Sequence, residues 1–547
     1  MRRTFQPAAV QAAATEVASG IYAFDHPHPG HPRQLADLLG GKGAGLAEMT
    51  SVLGINVPPG FTVSVPVCER YLRQGWPREL DDALSTHVRS LGERMGRRFG
   101  DPADPLLVAV RSGAPVSMPG MLDTVLNLGL NSDTVEGLAR TSGDECFAWD
   151  TYCRFLHMYA TTVLDVPAEE LQPRDTGGTA RPREQADLLR ERIRQVAGLD
   201  VPSDPMAQLR EAVEAVFRSC GSQRAKAYRA KEGIDEAMGT AVNVQAMVFG
   251  NRDANSGTGV VFTRNPSTGE PALYGDYLAM AQGEDVVAGT AHTLPIDRLR
   301  ELHPAVYSEL AATVRRLEVH FRDICDVEFT IEEGRLWLLQ TRVGKRGAVA
   351  AVRIAADLVS DADIRLSPQE AVGRVPVPVR ARAREEVLAG ACLEPAADDL
   401  LTTGLGASPG RATGRVVLDS EAAADAADDV ILVRPETAPE DVAGMASSAG
   451  LLTTKGGLVS HAAVVARGWG IPAVVGAQEL TYAADGLRSP SGARIRAGDV
   501  ITIDGTTGHV WRGAVAPPAG EAVSRVIEQE LPQLLQLEKW AQEHPGE

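Results

Sequence analysis

The stretch DVEFTIEEGRLWLLQTR, residues 326–342, restricts the possible folds of this chain more than any other. Two alternating apolar and polar runs flank Glu-Glu-Gly, the pattern of an antiparallel β-hairpin. Successive side chains on a strand point to opposite faces, so Asp326 and Glu328 share one face of the first run. Gln340 and Arg342 share one face of the second. Two carboxylates side by side can bridge Mg²⁺ to phosphates, because Mg²⁺ takes oxygen ligands. A solvated charged face on a plain hairpin has the same pattern.

Three other segments carry polar residues where a plain core would not. LLGGKGAGLAEM (38–49) sets Lys42 between glycines ahead of an amphipathic helix. Glycines let backbone approach a phosphate, and a helix N-terminus favours an anion. A lysine on a surface turn also fits, and the GxxxxGK[ST] phosphate loop is absent. AVRSGAPVSMPGMLDTVLNLGL (109–130) ends an apolar strand with Arg111, followed by Ser112, Gly113, Ser117 and Gly120. An arginine beside small residues suits polyphosphate, as it suits a salt bridge in a structural loop. FGNRDANSGTGVVFTRNPSTGE (249–270) adds a Gly-rich turn and Arg264, either near phosphates or in a long hairpin.

KGGLVSHAAVVARG (455–468) holds His461 at the opening of a short helical run. Ser460 stands where a helix N-cap is expected. Gly456 and Gly457 leave room for a bulky group beside the imidazole. The residues alone leave this imidazole as either a nucleophile or a buried structural histidine.

The chain has 547 residues, which predicts several domains. Its formal charge of −18 disfavours a partner that is nucleic acid or an acidic membrane. A local Arg/Lys cluster could still hold a nucleotide. No run of 18 apolar residues predicts a membrane span, and the N-terminal 20 residues lack a signal-peptide core. The six cysteines form no CxxC pair and no zinc spacing, so free thiols in the cytoplasm are expected. Residues 20–130 read as mixed α/β, 133–235 as mainly helical and 240–342 as β-rich. Residues 346–403 read as a helical linker, 404–512 as a β/α unit and 513–547 as a helical tail. No internal repeat is present.

Taken in order, seven segments resemble pyruvate phosphate dikinase. They are GGKGAGLAEMTSVLGINVPPGFTVS, VRSGAPVSMPGMLDTVLNLGLN, SGTGVVFTRNPSTGE, AQGEDVVAG, DVEFTIEEGRLWLLQTRVGKR, VRPETAPEDVAGM and GGLVSHAAVVARGWGIPAVVG. The phosphoenolpyruvate synthases share the architecture, but SMPGMLDTVLNLGLN looks more like the dikinase. The resemblance implies an α/β multidomain protein. An ATP-grasp nucleotide-binding domain would cover 20–345, with the helical subdomain inside it, and a swivelling β/β/α phosphohistidine domain would cover 404–512. It also implies a chemistry: ATP and inorganic phosphate give AMP, pyrophosphate and phosphohistidine at His461. Lys42, Arg111, Ser112, Gly113, Arg264, Gln340 and Arg342 would contact the nucleotide. Asp326, Glu328 and Gln340 would hold Mg²⁺.

Two departures from the family pattern stand out. Members often carry a regulatory threonine two residues before the histidine, and this chain has Val459 there. The family also has a C-terminal barrel for pyruvate and phosphoenolpyruvate. A barrel takes about 250 residues, and 35 follow Arg512 in this sequence. The expectation is therefore a phosphoryl-loading half that needs a separate barrel protein. Transfer to another small-molecule acceptor and a non-catalytic regulatory remnant are the alternatives.

Overall fold

The computed structural model describes residues 20–116, 118, 122–171, 181–235, 238–287, 293–390, 399–483, 486–514 and 522–543. Residues 1–19 and 172–180, Ser117, Gly120 and Cys392 lie outside the described residues. The chain divides into two units: residues 1–252 with 337–341, and residues 253–336 with 342–547.

The first unit is built on an antiparallel five-stranded sheet. Its order is Ile21–Ala23, Gly60–Val63, Ala241–Ala246, Val108–Gly113, Thr124–Leu128. The central strand Ala241–Ala246 is buried throughout, because sheet neighbours flank it on both sides. The helices Thr134–Ser142, Glu145–Thr162, Pro182–Ala197, Pro205–Ser219 and Gln223–Glu232 fill the region expected to be helical. Their ends follow local chemistry. Asp144, Asp204 and Ser222 accept N-cap hydrogen bonds from backbone N–H groups, and Gly143, Gly198 and Gly233 close C-termini in the left-handed conformation. Phe155, Tyr159, Val213 and Phe217 join the strands in one apolar core. Each such side chain contributes about 1.5–3 kcal/mol by leaving water.

Among its described residues the second unit holds two larger sheets and a small one of three short strands, Thr481–Ala483, Gly486–Arg488 and Arg494–Ile495. The first runs Leu294–Pro295, Tyr274–Ala279, Gly257–Phe262, Cys325–Glu332, Arg335–Val343. The expected hairpin is present: Glu333 and Gly334 take φ of 50° and 80°, as a tight two-residue turn between twisted strands requires. The second sheet has eight strands in the order Leu400–Thr403, His509–Arg512, Val500–Asp504, Arg411–Val417, Val430–Arg434, Gly450–Thr453, Ala473–Val475, Leu405–Ser408. Its fourth to seventh strands, from Arg411–Val417 to Ala473–Val475, pair in parallel.

Helices Ala348–Ser360, Pro368–Arg374 and Val377–Gly390 precede this second sheet, and Ala522–Glu530 and Pro532–Glu543 follow it. The two groups share one apolar cluster that includes Val352, Ala355, Ala371, Ile527, Leu531, Leu534 and Leu537. Arg384 donates to Glu538 at 2.7 Å and Arg353 to the Glu530 carbonyl at 2.7 Å. The helical segments on either side of the β/α sheet thus pack into one stalk. The mixed α/β multidomain architecture is the one expected from sequence.

Candidate active site

In the first unit, the glycines of the Lys42 segment bring it against the Arg111 strand. Helical geometry in Ala36–Ala47 breaks at Gly40, where φ is 68°. A Cβ on Gly40 would lie 1.6 Å from the Gly113 carbonyl oxygen, so no other residue fits this contact. Gly41 N–H donates to the Ala114 carbonyl at 2.9 Å. Lys42 therefore opens the helical turns that follow the break, beside Ser112 and Gly113. Arg111 donates to the Leu339 carbonyl at 3.5 Å, and the Gly113 N–H donates to Thr240 Oγ1 at 3.1 Å. Lys42 thus lies against Gly113, with Ser112 and Arg111 next along the same strand. Gln340 is buried in the same unit.

In the second unit, the hairpin carries Asp326, Glu328 and Arg342. Asp326 is buried. Its Oδ2 accepts from Arg342 Nε at 2.6 Å. Its Oδ1 is buried and makes no hydrogen bond among the described residues. The Asp326 charge, and then that of Glu328, hold the Arg342 guanidinium more firmly protonated, against burial. A buried carboxylate oxygen left open beside a second carboxylate fits a hard divalent cation.

His461 is the first residue of the helix His461–Trp469, and Ser460 occupies its N-cap with extended backbone. The expected serine cap is absent. The Ser460 hydroxyl makes no capping bond, and its buried Oγ has no partner among the described residues. The helix packs Ala462, Ala463, Val465 and Ala466 onto Leu432 and Leu451 of the parallel strands. His461 thereby sits at the C-terminal edge of those strands, where ligands of α/β sheets collect. Thr437 follows the neighbouring strand Val430–Arg434, and its Oγ1 lies 3.1 Å from His461 Nδ1. His461 Nε2 is buried with no hydrogen-bond partner among the described residues. Burial lowers the His461 pKa, opposed by the nearby charges of Asp441 and Glu440. A lowered pKa keeps the ring neutral at pH 7, the state that can attack phosphorus.

Arg264 has a different occupation from the one expected. It is 4% exposed, and its Nε donates to Glu318 Oε1 at 2.7 Å. Asp357 and Asp361 stand 3.5 and 3.7 Å from its other nitrogens. A guanidinium engaged by three carboxylates has little left for phosphates. The glycines before His461 also differ from the reading that both make room. Gly456 takes a φ of 96°. Gly457 presses against strand Tyr274–Ala279, where a Cβ would lie 2.8 Å from Asp276 Oδ2. Thr437 and Arg467 escaped the sequence reading, although both lie in segments quoted for the resemblance. Arg467 is buried and donates to the carbonyls of Ala407 and Leu458, each at 2.6 Å. Among the described residues, no helix is long and apolar enough to cross a membrane.

Comparison with known proteins gives the same outline. Residues 36–78, 72–297 and 294–362 match the model of the pyruvate phosphate dikinase AMP/ATP-binding domain. Residues 426–508 match the mobile domain of PEP-utilising enzymes. Pyruvate, phosphate dikinase of Rhizobium meliloti (strain 1021) is 44% identical over 533 residues, covering 91% of this chain and 58% of that protein. Pyruvate, phosphate dikinase of Clostridium symbiosum is 44% identical over 522 residues, with the same coverage of 91% and 58%. Pyruvate, phosphate dikinase 2 of Oryza sativa subsp. japonica is 43% identical over 550 residues, covering 94% and 60%. The chain spans about three fifths of the length of these relatives. The chain belongs to the pyruvate phosphate dikinase family, and its first domain is of the ATP-grasp type.

Proposed function

We propose that this member of the family loads its own His461 with phosphate from ATP: ATP and inorganic phosphate give AMP, pyrophosphate and phosphohistidine. One observation carries the reading most directly. His461 Nδ1 is engaged by Thr437, while Nε2 is buried and open at a helix N-terminus. With Nδ1–H donating to Thr437 Oγ1, the Nε2 lone pair is available. Nε2 attacks the β-phosphorus of ATP, the bond to the α,β-bridging oxygen breaks, and AMP leaves. A phosphate oxygen then attacks the terminal phosphorus of the pyrophosphoryl group, the bond from that phosphorus to the bridging oxygen breaks, and the new pyrophosphate leaves while the bridging oxygen stays with the group on the histidine. One phosphoryl group stays on Nε2, where the helix end offsets its charge and the open Ser460 hydroxyl can donate to it.

Lys42, Arg111, Ser112 and Gly113 in the first unit offer phosphate-binding groups, and Gln340 a polar one. In the second unit, Asp326 and Glu328 would hold Mg²⁺, with Arg342 beside them. Bound Mg²⁺ neutralises phosphate charge. Phosphoenolpyruvate and pyruvate chemistry belongs, in this reading, to a barrel outside residues 1–547, and the cytoplasm is the setting.

The test incubates the chain with Mg²⁺, inorganic phosphate and ATP labelled at the β-phosphorus. Acid-labile label on His461 with AMP and pyrophosphate is expected. His461→Ala should lose the label and still bind ATP. ADP as the sole nucleotide product would reject the reading.

A further inference from the structure

The loop before His461 does not pack only within its own sheet. Ala462, Ala463, Val465 and Ala466 join the core of the eight-stranded sheet. Val459 instead is 4% exposed within the apolar cluster of the hairpin sheet, with Val260, Phe262, Val286 and Ile324. Tyr274 and Leu278 pack against the same cluster.

Two further contacts hold the loop there. Gly457 lies so close to Asp276 and Thr293 that a Cβ would meet their oxygens at 2.8 and 3.0 Å. Burial pushes the Asp276 carboxyl upward, and Thr293 and the backbone of Val459 and Leu458 beside it oppose the shift. From its own side the loop is stiffened by Arg467, whose guanidinium holds the Leu458 carbonyl and stands 5.6 Å over the Phe262 ring.

We infer that Val459 is a positioning residue: an apolar plug that seats the histidine loop on the hairpin sheet and favours the pose in which His461 is loaded. The inference rests on the loading reading above. A histidine that serves two sites must leave one to reach the other. The plug acts on that equilibrium, because its apolar surface is covered only in the seated pose. Where family members often carry a regulatory hydroxyl, this chain carries a side chain that strengthens the seated contact. Threonine has the shape of valine but would bring an unpaired hydroxyl into the socket.

The experiment uses the full chain and two readouts. Amide hydrogen exchange at Leu458 and Val459, without nucleotide, reports seating independently of chemistry. Transfer of label from ATP reports loading. Val459→Thr should speed exchange and slow loading, each by about tenfold. Val260→Thr, on the socket side, should do the same. The double variant should be little worse than either single, as expected for two partners in one contact. An unchanged unfolding midpoint for the histidine unit shows that the variants fold. Unchanged exchange in both single variants would overturn the plug. Altered exchange in a chain that takes no label even as wild type would keep the plug and overturn the loading reading.

Discussion

Two clusters of buried charge in the second unit use similar residues to opposite ends. Around Arg264 the charges meet one another. Arg264 donates to one oxygen of Glu318 at 2.7 Å and Arg315 to the other at 2.6 Å. Arg315 also reaches both oxygens of Asp361, at 2.7 and 2.9 Å, and holds that carboxyl below the usual carboxylate range, with burial opposing. Along the hairpin and the histidine loop, by contrast, valences stay open. Asp326 Oδ1, Ser460 Oγ and His461 Nε2 are buried without partners among the described residues. A buried polar atom without a partner costs about 1–3 kcal/mol. Three of them persist where a ligand would satisfy them, and none of the Arg264, Arg315 or Glu318 atoms shares that state. The saturated cluster reads as a joint between helices and strand; the open one reads as a site.

The sharpest way to break this contrast is to remove charge from the open cluster. Asp326→Asn and Glu328→Gln keep shape and remove a negative charge each. Phosphohistidine formation should fall by about 10²–10³-fold in both; Glu328→Gln should leave the unfolding midpoint unchanged, whereas Asp326→Asn also weakens the buried pair with Arg342 and should lower it. Normal loading in both variants would place Mg²⁺ elsewhere.

The reverse pattern is expected for Arg264→Met. It leaves Glu318 buried with one partner fewer and Asp357 with a weaker hold on its charge. Burial already pushes the Asp357 carboxyl upward, and Arg264 opposes that shift. Stability should drop by about 3–5 kcal/mol, the cost of breaking a buried pair. Loading per folded molecule should stay within about twofold, too small a change to mark a lost transition-state contact. Chemical denaturation followed by a loading assay on the folded fraction separates the two. A large loss of loading without loss of stability would return Arg264 to the nucleotide.

These outcomes bear on what the sequence could carry. The hairpin was legible because strand alternation and a Glu-Gly turn are local signals, and Gly334 is two residues from Glu332. The start of the His461 helix was legible for the same reason: Ser, His and the small residues after them set a helix end locally. The Arg264 cluster was not legible. Its partner Glu318 lies 54 residues away and Asp357 93 away, so the sequence near Arg264 carries no trace of them. The position invited a phosphate because Gly-rich turns and arginine look alike in either role. Thr437 was missed although its segment had been singled out. It lies 24 residues before His461, and only the parallel pairing of Val430–Arg434 with Gly450–Thr453 brings the two loops together. The division of the chain was equally hidden. Residues 337–341 of one continuous strand count with the first unit and their neighbours on both sides with the second.

Thr437 supplies the smallest and most discriminating test. If the open Nε2 is functional, the closed Nδ1 must be functional too, because the contact at Nδ1 decides which nitrogen bears the lone pair. Thr437→Val removes the acceptor for Nδ1–H and should slow loading by about three- to tenfold, the worth of one neutral hydrogen bond. Thr437→Ser keeps an oxygen there and should restore most of the rate. The pH profile gives a second readout that a merely structural role would not move. Burial sets the His461 pKa below 6.5, so wild-type loading should hold as pH falls to that value and fail only below it. Both ring forms donate through Nδ1, but the bond from the imidazolium is the stronger, so losing the Thr437 acceptor costs the charged ring more and should move this acid limb to still lower pH. A slower enzyme whose ring titrates lower cannot owe its loss to extra protonation; it owes it to the wrong tautomer or a turned ring. An unshifted limb with an unchanged rate would make the Thr437 contact incidental, and the contrast between saturated and open clusters would then rest on Asp326 alone.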